Sequence, residues 1–254
     1  MKLSIVTVSW NAAATIGDTL RSVAAQTGAD IEHIVIDGGS RDDTMAIVGR
    51  FPHVARAVSE PDKGIYDAMN KGLALATGDA VGFLNSDDFF CRTDAAARIA
   101  AGLEASGADL VSGAVAIVAR DDMARVRRHY RARGFQPWML RFGHMPPHPA
   151  FYARREALVR AGGFDAGFRI AGDFELIVRL FAGGARLHTL DETLVGFRDG
   201  GASVDRRTMN GEILGALRRN GIASAPALLW ARYPFKAVQL LRRPSDYHVP
   251  PWIG

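Results

Sequence analysis

The chain alternates short apolar runs with segments whose apolar residues recur at helical spacing. The apolar runs, rich in β-branched residues, predict strands over residues 4–10, 32–40, 55–60, 79–85 and 109–119. Helical periodicity predicts helices over residues 11–26, 41–51, 64–78 and 93–107. We expect Asn11 to cap the first helix. Strands that alternate with helices predict an α/β fold with a doubly wound, mainly parallel sheet and helices on both faces.

The pattern becomes less regular beyond about residue 120. A loosely alternating segment predicts an outer strand at 125–133, and a proline-rich loop leads into a strand and then a helix within 143–158. The other predicted elements are a helix within 169–184, strands over 185–190 and 193–199, and a helical segment from residue 206 onwards.

Four aspartates follow the carboxyl ends of predicted strands. Asp37 ends the second strand, Asp62 follows the third, and Asp87 and Asp88 follow the fourth. Ligands bind at these ends in open α/β sheets, so we expect the carboxylates to meet in one crevice. Adjacent carboxylates are costly to desolvate unless a cation neutralises them, and oxygen ligands suit Mg²⁺ or Mn²⁺. The alternative for Asp87 and Asp88 is a structural turn that caps the next helix or faces solvent.

The composition fits one large globular domain with an appendage. The 254 residues are 48% hydrophobic and 23% charged, which is enough to bury a sizeable core. Cys91 is the single cysteine, so the sequence excludes a disulfide framework, and we expect a reducing compartment. The sequence contains no uncharged apolar run of about 18 residues, so we predict no membrane span. The sequence also lacks the G-x-G-x-x-G, Walker A, G-x-S-x-G and H-E-x-x-H patterns, which argues against the chemistries they serve.

The net charge of +4 is unevenly distributed. Residues 206–243 hold eight basic residues and one acid, Glu212, so this segment carries +7 and the rest of the chain −3. Such asymmetry points to an anionic partner: a membrane surface, a phosphorylated substrate or a nucleic acid. We interpret a second basic cluster, at 125–133, as a solvated face.

Six segments, in order, make the chain resemble the family 2 glycosyltransferases. They are SIVTVSWN at 4–11, VIDGGSRDDT at 35–44, EPDKGIYDAMNKGLALATGD at 60–79, FLNSDD at 83–88, HPAFYARREAL at 148–158 and AGDFELIVRL at 171–180. The resemblance implies an α/β domain of the GT-A fold over 1–204, with a nucleotide-binding half at about 1–115 and an acceptor half at about 116–204. A basic helical extension would follow over 205–254.

The resemblance also implies an activity and roles for particular side chains. The activity is inverting, metal-dependent transfer of one hexosyl group from a UDP- or GDP-sugar to a hydroxyl acceptor, in exopolysaccharide, lipopolysaccharide or glycolipid assembly. Asp173 would be the catalytic base, and His148 and Arg198 would contact the acceptor or a phosphate. Asp87 and Asp88 would hold Mn²⁺ or Mg²⁺. The expected donor-binding residues are Val8, Trp10, Asn11, Asp37, Asp62, Lys63, Asp67, Asn70, Ser86 and Asp87.

The residues alone leave structural alternatives for five of these positions. Asp173 could be an N-cap, Trp10 could belong to the core, and His148 could be a plain loop residue. Asp37 and Arg198 could simply turn the chain.

Two positions depart from the family pattern. The D-x-D position reads Asn85-Ser86-Asp87, so the first acid is missing, and Gly172 stands where a second acid often precedes the base. A catalytically degenerate nucleotide-sugar-binding subunit is therefore one alternative function, and a sugar-phosphate nucleotidyltransferase is another. The Q-x-x-R-W motif of processive synthases is missing, which favours transfer of a single sugar.

The segment 224–244 combines basic and apolar residues. One helical face would carry Arg232, Lys236, Gln239 and Arg243. We expect an interfacial helix that attaches the protein to the cytoplasmic face of an anionic bacterial membrane, near a lipid-linked acceptor. The alternative is a helix docked on the domain. We expect no nucleic-acid partner, and homo-oligomer formation is left open.

Overall fold

The computed structural model describes residues 1–200, 205–231 and 244–253. Within these residues, one sheet contains β1 Lys2–Ser9, β2 Asp30–Asp37, β3 Val54–Ser59, β4 Ala80–Phe83, β5 Phe89–Phe90, β6 Leu110–Val118, β7 Val126–Tyr130, β8 Phe151–Arg154 and β9 Leu187–Arg198. The α-helices there are α1 Ile16–Ala24, α2 Thr44–Val48, α3 Ile65–Leu75, α4 Ala95–Ser106, α5 Arg155–Arg160, α6 Gly172–Ala182 and α7 Arg206–Arg219. Short 3₁₀ turns cover Pro137–Phe142, His148–Ala150 and Pro226–Ala231.

The sheet has the strand order β3-β2-β1-β4-β8-β6-β9-β5, with β7 paired to β6. β3, β2, β1 and β4 are parallel, as the alternation of strands and helices predicts. β8 runs antiparallel to both β4 and β6, whereas β6 and β9 are parallel. The prediction of a mainly parallel sheet therefore holds for the amino-terminal half, and the carboxyl-terminal half is mixed.

Three details of the predicted elements were wrong. The strands predicted at 185–190 and 193–199 form one strand, β9, which follows β6 through register shifts near Ala114. The two-residue strand β5, paired with β9, was not predicted. Asn11 does not cap α1, which begins at Ile16. Asn11 instead has φ +47°, and its Oδ1 accepts a hydrogen bond from Arg41 N at 2.9 Å, so it closes a loop.

Helices cover both faces of the sheet. In β1, Leu3 and Ile5 belong to a buried cluster with α4, whereas Val6 and Val8 belong to a cluster with α3 and α6. Alternate residues of a strand point to opposite faces, so these helices lie on opposite sides of β1. The predicted arrangement of helices is therefore confirmed.

The carboxyl-terminal extension packs against the rest of the chain where it is described. The buried residues of α7 that join the α6 cluster are Ile213, Ala216 and Leu217. Tyr247 packs with Phe89 and Ala116. The predicted basic stripe at Arg232, Lys236, Gln239 and Arg243 lies outside the described residues. Among the described residues, every helix is too short or too polar to cross a membrane.

Candidate active site

A cleft of about 670 Å³ opens at the carboxyl ends of β1 and β4. Its amino-terminal wall contains residues 8–12, several residues within 62–69, and residues 85–87 of the acid turn, which we define as residues 85–88. Its carboxyl-terminal wall consists of side chains from β6, β7 and β9 together with residues from 145–149 and 169–173. The first wall thus comes from within residues 8–87 and the second from within residues 115–197.

Six predicted donor-binding residues lie on the amino-terminal wall: Val8, Trp10, Asn11, Asp62, Ser86 and Asp87. Trp10 is 69% exposed, so the alternative that it belongs to the core is wrong. The Asp62 carboxylate accepts a hydrogen bond from Gly64 N at 2.8 Å, which holds it at the start of α3. An exposed indole beside hydrogen-bond acceptors offers a stacking face for a planar ring that carries N–H groups.

Asp37 lies behind this wall rather than in the cleft. It is fully buried, and its carboxylate accepts hydrogen bonds from the hydroxyls of Ser9, Ser40 and Ser59 and from two backbone amides. Burial alone would raise the pKa of Asp37, but the hydrogen bonds from Ser40, Ser59 and Ser9 hold it below its ordinary value. The expected meeting of carboxylates from three strand ends is therefore corrected to two, and Asp37 supports the loop.

Lys63, Asp67 and Asn70 also lie outside the lining of the cleft in the part of the chain that the structure describes. The Asp67 carboxylate accepts a hydrogen bond from Lys63 N at 3.1 Å. Asn70 clamps Phe164 through two hydrogen bonds of 2.8 Å, one to its carbonyl and one from its amide. These hydrogen bonds shape the start of α3 and join it to the loop at 164, and donor binding by the three residues stays a prediction.

The two acids of the acid turn have different surroundings. Asp87 lines the cleft, whereas Asp88 is fully buried beneath it, and its carboxylate oxygens form no well-aligned hydrogen bond with a described residue. Burial, followed by the charge of Asp87, raises the pKa of Asp88 well above its usual range. Burial also raises the pKa of Asp87, against the opposing charges of Arg120 and Arg198. The expectation that both acids face a metal ion is corrected, since only Asp87 reaches the cleft.

Arg198 supports the acid turn from below. Its guanidinium, only 3% exposed, forms an ion pair with Asp18 and donates to the carbonyl of Asp87 at 2.7 Å. Its Cζ also lies 5.2 Å from the centroid of the Phe89 ring. Arg198 does not line the cleft, which corrects its predicted role as an acceptor or phosphate contact. The cation that compensates these adjacent acids is thus distant from them in the sequence.

Asp173 lies in the first turn of α6 and lines the cleft. Ala171 occupies the N-cap position, so the alternative that Asp173 is an N-cap is wrong. Asp173 Oδ1 accepts a hydrogen bond from Phe174 N at 2.8 Å and lies 3.4 Å from the Tyr66 hydroxyl. Burial, with Asp173 as the second cause, raises the pKa of Tyr66, so the phenol stays protonated.

Gly172 explains the missing second acid before Asp173. A Cβ atom at Gly172 would lie 2.7 Å from the ring of Tyr66, a distance that real side chains do not tolerate. Tyr66 therefore takes the space that an acidic side chain would need at this position.

His148 lies between Asp173 and the aromatic core. Its ring stacks on Phe83 at 6.3 Å between centroids, and it lines the cleft. Burial lowers the pKa of His148, against the opposing charge of Asp173, so the ring is neutral near pH 7. Its Nε2 is buried, and no described residue hydrogen-bonds to it. The ring therefore keeps one nitrogen available to a ligand.

Glu212 of α7 supports the start of α6, the helix that carries Asp173, and sequence reasoning missed this role. Its carboxylate accepts hydrogen bonds from the amides of Arg169, Ile170 and Ala171 at 2.8, 2.9 and 2.8 Å. These are the three amides that immediately precede α6, where a negative charge also complements the helix dipole. Its signal in the sequence was its isolation as the one acid among eight basic residues.

Sequence reasoning also missed three arginines that line the cleft: Arg120, Arg128 and Arg169. Arg128 comes from the basic cluster at 125–133, which was interpreted as a solvated face. That interpretation is wrong for Arg128, whose strand β7 pairs with β6 along the cleft. The cleft therefore combines carboxylates with guanidinium groups.

The oxygen atoms of the acid turn suit a divalent cation that the phosphates of a bound substrate also coordinate. Asn85 and Asp87 line the cleft, and Asn85 Oδ1 is buried with no hydrogen-bond partner among the described residues. Mg²⁺ is commonly held by one or two carboxylates together with substrate phosphates. Within the described ranges, no group of three His, Cys, Asp or Glu side chains could hold a metal ion. Phosphate oxygens and water would have to complete the coordination.

Known proteins match both the sequence and the structure. An uncharacterised glycosyltransferase of Mycobacterium tuberculosis strain H37Rv is 39% identical over 183 residues, which are 70% of this chain and 68% of that protein. A PGL/p-HBAD biosynthesis glycosyltransferase of Mycobacterium bovis BCG is 34% identical over 185 residues, which are 70% of this chain and 69% of that protein.

Solved structures share the fold at lower sequence identity. Staphylococcus aureus TarS 1–349 in complex with UDP has a TM-score of 0.67 at 18% identity, covering 94% of this chain and 73% of that one. The mannosyltransferase PcManGT from Pyrobaculum calidifontis, in complex with GDP-Man and Mn²⁺, has a TM-score of 0.64 at 22% identity, covering 93% and 67%. These similarities confirm the predicted GT-A fold. The family model for glycosyl transferase family 2 matches residues 4–169, more than half of the chain, and this protein therefore belongs to glycosyl transferase family 2.

Proposed function

We propose that this glycosyltransferase moves one hexosyl group from a nucleotide sugar to a hydroxyl acceptor, with inversion at the anomeric carbon. The main support is that Asp87 and Asp173 line one cleft from opposite walls. Trp10 lies exposed on the same wall as Asp87. A nucleotide whose base stacks on Trp10 and whose diphosphate lies at Asp87 would leave its sugar between the walls. Structural neighbours solved with UDP, UDP-GlcNAc and GDP-Man support this class of donor.

The chemical step requires a base on the carboxyl-terminal wall. The acceptor oxygen bonds to the anomeric carbon while its proton passes to Asp173, and the bond to the diphosphate oxygen breaks with its electron pair leaving on the diphosphate. Asp173 Oδ1 is held by Phe174 N and faces the Tyr66 hydroxyl, so Oδ2 is the oxygen that accepts the proton. Such general base catalysis contributes about 10²–10⁴-fold.

The departing diphosphate carries negative charge that the amino-terminal wall must balance. A bound divalent cation would supply this neutralisation, with Asn85 and Asp87 as its protein ligands. Arg120 lines the same cleft and acts on the pKa of Asp87, so it adds a permanent positive charge there. The mannosyltransferase neighbour was solved with Mn²⁺, which supports a requirement for a divalent cation.

We assign the reaction to the assembly of a bacterial glycolipid, lipopolysaccharide or exopolysaccharide. Mycobacterial relatives, one of them named for PGL/p-HBAD biosynthesis, support a biosynthetic role.

We further propose that the protein works at the cytoplasmic face of the membrane. Trp138 and Trp230 are 53% and 71% exposed. They lie on two 3₁₀ turns, and a hydrogen bond from Ser224 Oγ to Arg141 O joins the segments that contain these turns. Exposed tryptophans beside a basic segment are typical of interfacial anchors.

The donor and the activity are tested together. Thermal unfolding is measured with a panel of UDP- and GDP-sugars, each with Mn²⁺, Mg²⁺ or EDTA. A donor at 100 times its dissociation constant should raise the free energy of unfolding by about 2.7 kcal/mol, and its metal dependence should appear directly. Release of nucleoside diphosphate, with the anomeric configuration of the product read by NMR, then tests inversion. Donor binding without release of nucleoside diphosphate would instead support a degenerate binding subunit. Release of pyrophosphate from a nucleoside triphosphate would support a nucleotidyltransferase.

Membrane attachment needs a test that leaves the fold intact. Ending the chain after Gly221 would also remove the buried Leu229 and Tyr247, so truncation is unsuitable. The full chain is instead compared with a variant whose Arg232, Lys236, Arg242 and Arg243 are changed to Gln. We expect the wild type to sediment with anionic vesicles at low salt and the variant to stay in the supernatant. Equal behaviour of the two proteins would contradict the proposed anchor.

A further inference from the structure

The carboxyl-terminal wall contains an apolar platform made from three strands. Between β6 and β7, Val115 pairs with Tyr130 and Ile117 with Arg128, and Ile117 also pairs with Phe197 of β9. All five side chains line the cleft. Residues paired directly across strands share one face of a sheet. The platform therefore lines the cleft with the largely buried Val115 and Ile117, the rings of Phe197 and Tyr130, and one guanidinium.

Arg128 is the polar element of this platform. Its Cζ lies 5.6 Å from the centroid of the Tyr130 ring, and the side chain is half-buried. No ion pair to Arg128 occurs among the described residues, and the nearby Asp199 carboxylate accepts from Arg127 at 3.0 Å. Burial lowers the pKa of Arg128. A partly desolvated guanidinium with five donors is costly unless an anion accepts from it.

The donor is not the best source of that anion. Its diphosphate is already provided for at the acid turn by Asn85, Asp87 and Arg120. Arg128 instead stands on apolar side chains of the opposite wall, where the acceptor must enter to reach Asp173. The anion at Arg128 should therefore belong to the acceptor, and the groups beside that anion should be apolar.

We propose that the platform binds an acceptor in which a phosphate adjoins an apolar chain, with the phosphate on Arg128 and the chain on Ile117 and Phe197. This inference rests on the proposed function and specifies the acceptor class. The guanidinium would contact the phosphate bidentately, which a lysine cannot do. The donor diphosphate offers the same oxygens, so the experiment must separate the two ligands.

Calorimetry with soluble probes performs this separation. Geranyl phosphate, geraniol and inorganic phosphate are titrated into the wild type saturated with UDP and Mn²⁺, and UDP is titrated separately. The variants are Arg128→Gln and Arg128→Lys, with Arg127→Gln as the matched control. Arg127 is the adjacent residue of β7, is exposed and pairs with Asp199. Circular dichroism melting confirms that each variant folds.

The proposal predicts one pattern of binding. The wild type should bind geranyl phosphate at least tenfold more tightly than geraniol or inorganic phosphate. Arg128→Gln should abolish that preference, Arg128→Lys should keep only part of it, and Arg127→Gln should keep all of it. UDP affinity should stay unchanged in all three variants.

Other patterns would overturn the inference. Weakened UDP binding in Arg128→Gln, with geranyl phosphate unaffected, would assign the guanidinium to the donor. Equal or undetectable binding of geranyl phosphate and geraniol by the wild type would exclude a phosphate-bearing apolar acceptor. If the wild type binds neither UDP nor GDP, the proposed function fails first, and the geranyl phosphate arm, repeated without nucleotide, still judges the platform. If it binds only GDP, GDP replaces UDP in every arm.

Discussion

The two walls of the cleft are built by different means. The amino-terminal wall collects residues from the loops that follow neighbouring parallel strands of the sheet, such as Trp10 after β1 and Asp87 after β4. The carboxyl-terminal wall combines β6, β7 and β9 with the start of α6, and α6 in turn depends on Glu212 of α7. The residues of the amino-terminal wall therefore follow the local order of strands and loops in the sequence. The carboxyl-terminal wall depends on contacts between segments far apart in the chain, so distant substitutions should affect the two walls differently.

The largest effect should come from Asp173→Asn on the carboxyl-terminal wall. An amide cannot take the acceptor proton, so we expect the rate of transfer to fall by about 10²–10⁴-fold. Affinity for UDP should remain within a few-fold of wild type, because Asp173 lies on the acceptor wall. Turnover at saturating acceptor and calorimetry with UDP measure the two quantities. Glu156→Gln, an exposed acid of α5, serves as the control, and wild-type turnover in Asp173→Asn would refute the assignment.

The next effect separates the two acids of the amino-terminal wall. Asp87→Asn should abolish the Mn²⁺ dependence of UDP binding, since Asp87 faces the cleft. Asp88→Asn should largely preserve that dependence, because the buried Asp88 carboxyl, with its raised pKa, is isosteric with the amide. UDP titrations with Mn²⁺ and with EDTA measure this difference. If both variants lose the Mn²⁺ dependence equally, Asp88 is a metal ligand as well, and the original expectation for both acids is correct.

A smaller effect should reach the carboxyl-terminal wall from outside the cleft. Glu212→Ala leaves three backbone amides before α6 without their acceptor, and hydrogen bonds to charged groups are worth about 1.5–3 kcal/mol. We expect kcat to fall about tenfold while UDP affinity stays constant, and Glu212→Gln to recover part of the rate.

The control for Glu212 removes another link between α7 and the same loop. Asp165→Asn breaks the exposed ion pair with Arg219 and should cost at most about 1 kcal/mol of stability. If Asp165→Asn lowers kcat as much as Glu212→Ala, the effect reflects general loosening of α7 rather than the positioning of α6.

The smallest effect concerns the support of the amino-terminal wall. His33 is fully buried on β2, 2.9 Å from Thr7 Oγ1 and 3.0 Å from His53 Nε2. Burial, with His53 as a second cause, lowers the pKa of His33 from 6.5 to about 3. The unfolded chain therefore binds a proton below about pH 6.5 that the folded protein does not. The free energy of unfolding should fall on acidification by up to about 1.4 kcal/mol per pH unit.

Urea unfolding between pH 7 and pH 5.5 tests this dependence. His33→Gln should reduce the slope of stability against pH relative to the wild type. An unchanged slope in His33→Gln would assign the acid sensitivity to other buried histidines, such as His129, whose pKa burial lowers to about 4.

The sequence alone determined most of the elements and the order of the family segments. Periodicities of 2 and 3.6 residues arise from local backbone geometry, so most strands and helices and the parallel amino-terminal half could be predicted from them, whereas β5 and the continuity of β9 could not. The position of Asp87 followed as well, because residues just after a parallel strand emerge at its carboxyl end. Trp10 was predicted only through its family segment, and the residues alone left a core position open for it. Asp173 was predicted through its family segment.

Only the tertiary structure decided which of the candidate residues face a ligand. Asp37 and Asp88 resemble Asp87 in sequence, yet hydroxyl donors enclose Asp37 and the core encloses Asp88. Arg198 was expected in the cleft but pairs with Asp18, 180 residues away. Glu212 and Arg128 gain their roles from α7 docking on α6 and from the register of β7 on β6. Burial and partner choice depend on long-range packing, which no local pattern of residues encodes.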